Sequence, residues 1–167
     1  MDPVLEHALC PQEIALDLDV HGRTELLAAV ANVLTGSGRI AAEPIRRALL
    51  RREQAASTAV GSGLAIPHAR VPGIAAPVTL FARTRSPIPF GAPDGKPVAE
   101  FFVILVPAEG ATETHLQLLR AVAELFSDRA FRAMLGAARS AAAVATVFAS
   151  RIGATDDEEP EALQGIS

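Results

Sequence analysis

Residues 99–106 read AEFFVILV and give the strongest strand signal in the 167-residue chain. Phenylalanine, valine and isoleucine favour β-structure, and an apolar run without alternation is typical of a strand that is covered on both faces. We therefore predict a central strand here. Outward from it, hydrophobic periodicity predicts further strands at 14–20, 64–66 and 77–84. Helices are predicted at 23–35, 44–53 and 114–126, followed by two shorter ones that begin after Ser127 and Ser140.

Strands and helices are mixed along the whole chain, which predicts an α/β domain. We expect a three-layer α/β/α single domain, in which a central mixed β-sheet of about five strands is flanked by helices. The domain should span residues 1–153. Residues 154–167 read ATDDEEPEALQGIS and hold five acids and no base, which predicts an acidic, disordered tail.

Composition excludes several classes of function. With the five tail acids set aside, 15 basic and 14 acidic residues remain, so the body of the protein is nearly neutral. The arginines are scattered without interleaved aromatic residues, so no nucleic-acid partner is expected. The single cysteine permits no internal disulfide, and no spacing fits a metal or cofactor site. The N-terminus lacks a basic signal-peptide start and no apolar run has membrane length, so we expect a cytoplasmic protein without membrane insertion.

Residues 51–70 read RREQAASTAVGSGLAIPHAR and contain the first candidate for chemistry, His68. Ile66 precedes a proline and is biased to an extended backbone, and Pro67 stiffens the support of His68. The stretch Gly61-Ser62-Gly63 would let backbone amides approach an anion. On this stretch alone, a loop histidine that only follows a turn is an equally good interpretation.

Two further residues are candidates for the same site. His115 follows helix-start residues, so it falls in the first turn of the helix at 114–126, where a neutral imidazole and an anion are favoured. Arg52 ends the helix at 44–53, and its guanidinium can bind phosphate oxygens with two donors. Each also has a structural interpretation, as a helix-capping histidine and as one of several solvated arginines.

The segment 51–70 resembles the active-site signature of the type-2 enzyme IIA domains of the bacterial phosphotransferase system, and residues 14–150 share the resemblance. The matching pieces are Arg-Glu, Ser-Thr, Gly-x-Gly and Ala-Ile-Pro-His, with Thr-His-Leu in a later helix. Within the family, the nitrogen-regulatory class is the most similar. The resemblance implies that His68 accepts a phosphoryl group on Nε2, assisted by His115 and Arg52. It also matches Thr58 to the signature threonine, and many members have glycine where this chain has Ala59.

The expected phosphate-binding residues are Thr58, Gly61, Ser62 and Gly63. The family implies a phosphoryl carrier that needs no cofactor and receives its phosphate from an HPr-like phosphocarrier. Its expected output is nitrogen-related regulation, through phosphorylation-dependent binding of other proteins. Two alternatives stay open: a fructose- or mannitol-specific IIA subunit that passes phosphate to a separate IIB, and a non-catalytic binding module on the same fold.

Overall fold

A computed structural model describes residues 3–36, 41–110 and 112–156 of the chain. The helices are α1 (Pro3–Leu9), α2 (Arg23–Thr35), α3 (Ala42–Ala55), α4 (Thr112–Ser127), α5 (Arg129–Ala137) and α6 (Ala141–Asp156). The strands are β1 (Glu13–Leu18), β2 (Ala59–Gly61), β3 (Leu64–Ala65), β4 (His68–Val71), β5 (Val78–Ile88) and β6 (Val98–Pro107). Helix α1 and strand β2 were not anticipated from the sequence.

Strand β6 is central and buried on both faces, which confirms the prediction for residues 99–106. One face adds Phe101, Val103 and Leu105 to a core cluster shared with α2 and α3. The other face adds Phe102, Ile104 and Val106 to a cluster shared with α1, α4, α5 and α6. Because successive side chains of a strand point to opposite faces, one strand supplies both cores.

The three-layer α/β/α architecture is confirmed. Over the described residues, the mixed sheet has six strands in the order β1-β5-β6-β3-β2, and β4 pairs with β6 beyond β3. Strand β5 is antiparallel to β6, whereas β3 and β4 are both parallel to it. Helices α2 and α3 cover one face and the remaining helices cover the other.

Strands β3 and β4 are two segments of one line along β6, interrupted at Ile66 and Pro67. Leu64 pairs with Glu100, and His68 pairs with Ile104 four residues further on. The sequence predicted that the strand would continue through Ile66 and that His68 would follow its end. Instead, His68 is the first residue of a new strand. The pairing is interrupted before it because the N–H of Ile66 bonds to Thr58 and the carbonyl oxygen of Ile66 bonds to the His68 ring.

The face of helix α4 that was predicted to be inside is confirmed in part, since Val122 and Phe126 are buried and Leu119 packs against the core. Leu116 and Ala123 were expected inside but are exposed, while Leu118 and Leu125 are buried. Since adjacent helical residues lie about 100° apart around the axis, Leu116 stands nearly opposite Leu118.

The helix ends after α4 are partly as predicted. Asp128, not Ser127, caps α5, because its carboxylate accepts the N–H of Phe131 at 3.1 Å. Ser140 caps α6 as predicted, through the N–H of Ala143 at 3.1 Å, but α6 has 16 residues and is not a short helix. The predicted acidic tail lies, from residue 157 onward, outside the described residues and stays a prediction.

Candidate functional site

His68 lies at the start of β4, half-buried, and both of its ring nitrogens have hydrogen-bond partners. Nδ1 is 2.8 Å from the carbonyl oxygen of Ile66, and Nε2 is 3.3 Å from Nε of Arg52. A carbonyl oxygen only accepts and a guanidinium only donates, so Nδ1 carries the ring proton and Nε2 carries the lone pair. The two contacts therefore select one tautomer of a neutral imidazole.

The surroundings of His68 keep its ring neutral at neutral pH. Burial lowers the pKa of His68 below the usual value of 6.5, and the neighbouring charge of Arg52 acts in the same direction. The bond to the Ile66 carbonyl and the negative charge of Glu53 oppose this shift without reversing it. A lowered pKa means that the lone pair on Nε2 is free of a proton across the physiological range.

Arg52 stands in the last turn of α3 and is fixed at two points. Its terminal nitrogen donates to the carbonyl oxygen of Ala56 at 2.7 Å, while Nε donates to His68. Ala56 follows the end of α3 with an extended backbone, which turns its carbonyl oxygen toward the arginine. The guanidinium is thereby held directly at the lone pair of the candidate nucleophile.

His115 lies in the first turn of α4, beside His68, as the sequence predicted for a shared site. The two ring centroids are 5.5 Å apart and the rings are inclined at 53°. Burial lowers the pKa of His115, and the adjacent His68 and Arg70 add to the shift. Among the buried side-chain nitrogens and oxygens of the described residues, Nδ1 of His115 alone has no hydrogen-bond partner.

Thr58 lies close to the site, but both of its donors are already in use. Its N–H donates to one carboxylate oxygen of Glu53 at 2.8 Å, and its hydroxyl donates to the other at 2.7 Å. Thr58 and Glu53 are both buried, with 6% and 1% of their surface exposed. The geometry therefore assigns Thr58 a part in holding the loop, and it offers no free donor to a phosphate.

The structure does not bring Gly61, Ser62 and Gly63 to His68, contrary to the expectation that they would cradle a phosphate. They form the turn between β2 and β3, next to Leu64, which is about 13 Å from His68 along the sheet at about 3.3 Å per residue. The N–H of Ser62 is bound to the carboxylate of Asp94 at 2.9 Å.

Positive φ angles explain the glycines of that turn. Residues 61, 62 and 63 have φ angles of 94°, 57° and 77°. A two-residue hairpin turn with positive φ at both central positions strongly favours glycine. The Gly-x-Gly pattern here serves chain reversal.

Two residues near the site, Arg70 and Glu53, were not among the predicted site residues. Arg70 lies two positions after His68 on β4 and bonds the hydroxyl of Thr112 at 3.1 Å, and with His115 it lines a cavity of about 220 Å³. Strand alternation would have placed Arg70 on the same face as His68, had β4 been predicted to begin there. Glu53 belongs to the Arg-Glu pair of the family signature, but no local feature of the sequence predicts its burial, which depends on the two hydrogen bonds from Thr58.

The described residues offer neither a metal site nor a membrane span. Within residues 3–36, 41–110 and 112–156, no three His, Cys, Asp or Glu side chains are grouped to hold a metal ion. No helix in the same ranges is both long and apolar enough to cross a membrane.

Comparison with known proteins places this geometry in a family. The family model described as "Phosphoenolpyruvate-dependent sugar phosphotransferase system, EIIA 2" matches residues 8–150. A nitrogen regulatory protein of Bradyrhizobium diazoefficiens is 39% identical over 144 residues, which cover 84% of this chain and 92% of that protein. A fructose-specific EIIA component of Haloferax volcanii is 43% identical over 102 residues, or 61% of this chain and 66% of that protein.

A solved structure agrees with these relatives. The crystal structure of nitrogen regulatory protein IIA-Ntr from Neisseria meningitidis has a TM-score of 0.75 and 36% identity, and the match covers 84% of this chain and 94% of that one. The range matched by the family model, residues 8–150, includes His68, Arg52 and His115. The chain belongs to the type-2 enzyme IIA family of the phosphoenolpyruvate-dependent sugar phosphotransferase system.

Proposed function

We propose that this protein is a phosphoryl carrier that accepts phosphate on Nε2 of His68 from an HPr-like phosphocarrier protein. The pair of hydrogen bonds on the His68 ring carries the proposal, because it leaves a neutral imidazole with its lone pair on Nε2. Such a lone pair is a nucleophile that needs no separate base. Membership of the enzyme IIA family supports the same role.

The transfer step balances without moving a proton. The lone pair on Nε2 forms a bond to phosphorus while the bond from phosphorus to the donor histidine breaks, and its electron pair stays on the donor nitrogen. His68 keeps its proton on Nδ1, bound to Ile66, so its ring takes on a positive charge. The donor ring loses the corresponding charge and becomes neutral imidazole.

Arg52 and His115 supply the donors that the moving phosphoryl group requires. The transition state of phosphoryl transfer is loose, with negative charge on the equatorial oxygens, so positioned cations and donors give most of the catalysis. Arg52 already points at Nε2, and it would pass from the nitrogen to the phosphoryl oxygens as phosphorus arrives. The neutral ring of His115, 5.5 Å away, would bind a second oxygen.

The output we propose is regulation through protein binding, in the cytoplasm where HPr-like donors act. The phosphoryl group carries up to about two negative charges on its oxygens, of which the positive ring offsets about one. The site is bordered by the exposed Leu116 and Arg70, so these charges would change which protein surfaces can dock there. Relatives called nitrogen regulatory proteins favour a nitrogen-related target.

A sugar-specific role is the second candidate, favoured by the 43% identity to a fructose-specific EIIA component. In that role, His68 would pass its phosphate to a separate IIB protein. Mixing the phosphorylated chain with a fructose-type IIB distinguishes the two. Rapid loss of phosphate to IIB indicates sugar uptake, and retention indicates regulation.

Intact mass tests the carrier role. The protein is incubated with phosphoenolpyruvate, enzyme I and an HPr-type carrier, beside the variants His68→Ala and His115→Ala. We expect one acid-labile phosphate on the wild type, none on His68→Ala, and a slowly formed one on His115→Ala. No added mass on the wild type with a competent donor would overturn the carrier role in favour of a binding module. Phosphate on His68→Ala would mean that His68 is not the acceptor.

A further inference from the structure

Glu53 is a fully buried carboxylate, with 1% of its surface exposed, beside the candidate site. A buried charge is costly unless it is well hydrogen-bonded, so its position calls for a reason. Both of its oxygens accept hydrogen bonds, and both donors come from Thr58. That arrangement fits the ionised form, in which both oxygens act as acceptors.

A continuous series of hydrogen bonds leads from Glu53 to the ring of His68. Glu53 holds the N–H and hydroxyl of Thr58, and the carbonyl oxygen of Thr58 accepts the N–H of Ile66 at 3.0 Å. The carbonyl oxygen of Ile66 accepts Nδ1–H of His68 at 2.8 Å. Ile66 stands at the interruption between β3 and β4, so these bonds, rather than a regular strand pairing, locate the carbonyl that orients the ring.

A second branch leads from the same carboxylate to Arg52. The carbonyl oxygen that anchors the guanidinium belongs to Ala56, two residues before Thr58 in the same loop. The hydroxyl of Ser57, between them, donates to the carbonyl oxygen of Phe90 at 2.6 Å and ties the loop to the chain after β5. The loop is thus fixed from both sides, and the partners of both His68 nitrogens depend on it.

We propose that Glu53 is a positioning residue that, through Thr58, holds His68 in the tautomer with its proton on Nδ1 and holds Arg52 at Nε2. This inference rests on the proposed function for its chemical meaning. Glu53 reaches neither reacting atom, so it acts through Thr58 and the loop and through its charge. Its contribution is to keep the Nε2 lone pair ready, so that neither phosphoryl uptake nor phosphoryl release requires a proton to move.

The charge of Glu53 adds to this role. When Nε2 bonds to phosphorus with the proton still on Nδ1, the imidazole ring becomes positive. A negative carboxylate nearby, in a water-poor environment, favours that positive ring over the protonation states in which Nδ1–H is lost. A carboxylate that stabilised the fold without locating the Ile66 carbonyl, and without acting on the ring through its charge, would have no effect on the ring tautomer.

The test uses Glu53→Gln, which keeps the side-chain volume and removes the charge and one acceptor. Thr58→Ser keeps both donors, and Thr58→Val removes only the hydroxyl and serves as a second variant. Glu100→Gln is the matched control, because Glu100 is also a largely buried carboxylate but bonds Arg83 and Arg132 at the other end of β6. Melting temperatures establish that each variant is folded.

Two readouts separate positioning from structure. Nitrogen-15 spectra of the unphosphorylated protein report the His68 tautomer, and single-turnover kinetics report phosphoryl acceptance at saturating donor. We expect Glu53→Gln to give a mixture of His68 tautomers and to lower the transfer rate about 10-fold with little change in donor affinity. Thr58→Val should do the same more weakly, whereas Thr58→Ser and Glu100→Gln should match the wild type.

The proposal is overturned if Glu53→Gln and Thr58→Val keep the wild-type tautomer and rate, or if Glu100→Gln slows transfer by as much as Glu53→Gln. Should the wild type itself take up no phosphate, the proposed function fails. The tautomer measurement still decides the positioning role in that case, because it is made on the unphosphorylated protein.

Discussion

Two breaks in the same short sheet segment contrast with each other: the turn at residues 61–63 and the interruption at Ile66 and Pro67. The turn has the glycines that suggest a phosphate site, yet the amide of Ser62 is bound to Asp94 and the turn lies far from His68. The interruption has no glycine, yet it releases the carbonyl oxygen of Ile66 to orient the His68 ring. The partners of the backbone groups, rather than the presence of glycine, identify the functional break.

Among changes near the interruption at Ile66 and Pro67, loss of Arg52 should have the largest effect on the rate of phosphoryl acceptance. Arg52→Gln removes the cation at Nε2, and we expect acceptance to slow about 100-fold, the usual effect of deleting one transition-state donor. Arg51→Gln is the control, since Arg51 is an exposed neighbour on the same helix. The measurement is single-turnover phosphorylation by an HPr-type donor. Equal rates for the two variants would contradict the role of Arg52.

The pH dependence of acceptance should follow the lowered pKa of His68. Only the neutral ring is reactive, so the rate should stay constant from high pH down through 6.5 and fall only below the depressed pKa. Arg52→Gln removes one of the influences that lower the pKa, so the fall should begin at a higher pH. Rate profiles and histidine titration by NMR check this. A fall in rate that begins above pH 6.5 in the wild type would contradict it.

The same shifts predict how acid affects stability. His68 and His115 have a lower pKa in the folded protein than in the unfolded chain, so the unfolded chain binds more protons as the pH drops. Stability should therefore decrease between pH 6.5 and the folded-state pKa values and be unaffected by these groups above that window. Urea unfolding across pH, beside His68→Ala, measures the contribution of His68. An unchanged slope in that variant would argue against it.

Arg70 should matter less than Arg52, because it is exposed and bonded to Thr112 rather than to His68. We expect Arg70→Gln to slow acceptance about fivefold at low salt and less at high salt, since exposed charges are screened. Arg70→Lys keeps the charge and should retain most of the rate. A salt-independent loss, or one as large as for Arg52→Gln, would mean that Arg70 contacts the phosphoryl group directly.

The turn at 61–63 should affect stability alone. Gly63 has a φ of 77° and open space around it, so Gly63→Ala adds backbone strain of about 1 kcal/mol without a steric clash. The free energy of unfolding should fall by that amount, and the acceptance rate should stay within about twofold of the wild type. A large loss of phosphorylation in a folded Gly63→Ala protein would indicate that the turn at 61–63 takes part in phosphate binding, and would contradict its assignment to stability alone.

Periodicity in the sequence was sufficient to predict the layers of the fold. The helix at 23–35 and the strand at 99–106 were confirmed because their patterns are long and bury one stripe or both faces. Short elements were harder to predict, because a strand of three residues such as β2 is too short to show an alternation of apolar and polar residues. The buried face of α4 was predicted only in part, because apolar residues run around most of the helix. Val122 and Phe126 are buried as expected, but only the packing of the helix selects Leu118 over Leu116.

The site was partly predictable. His68, Arg52 and His115 carry a family pattern, and the structure brings the three together. Glu53 and Ile66 also lie within the family pattern, but their roles were not predicted, because these roles arise from hydrogen bonds between residues 5 and 8 positions apart. The Gly-x-Gly turn was predicted to bind phosphate for the same reason: the residue that binds its amide, Asp94, is 32 positions away in the sequence.

The central claim is that Nε2 of His68, with the proton retained on Nδ1, takes up the phosphoryl group. The most direct test is a nitrogen-15 spectrum of the histidine rings before and after phosphorylation by the enzyme I and HPr-type carrier system. We predict that Nε2 of His68 acquires the chemical shift of a phosphorylated nitrogen, while Nδ1 stays protonated and His115 remains unmodified. Phosphate on Nδ1 of His68, or on either nitrogen of His115, would contradict the account.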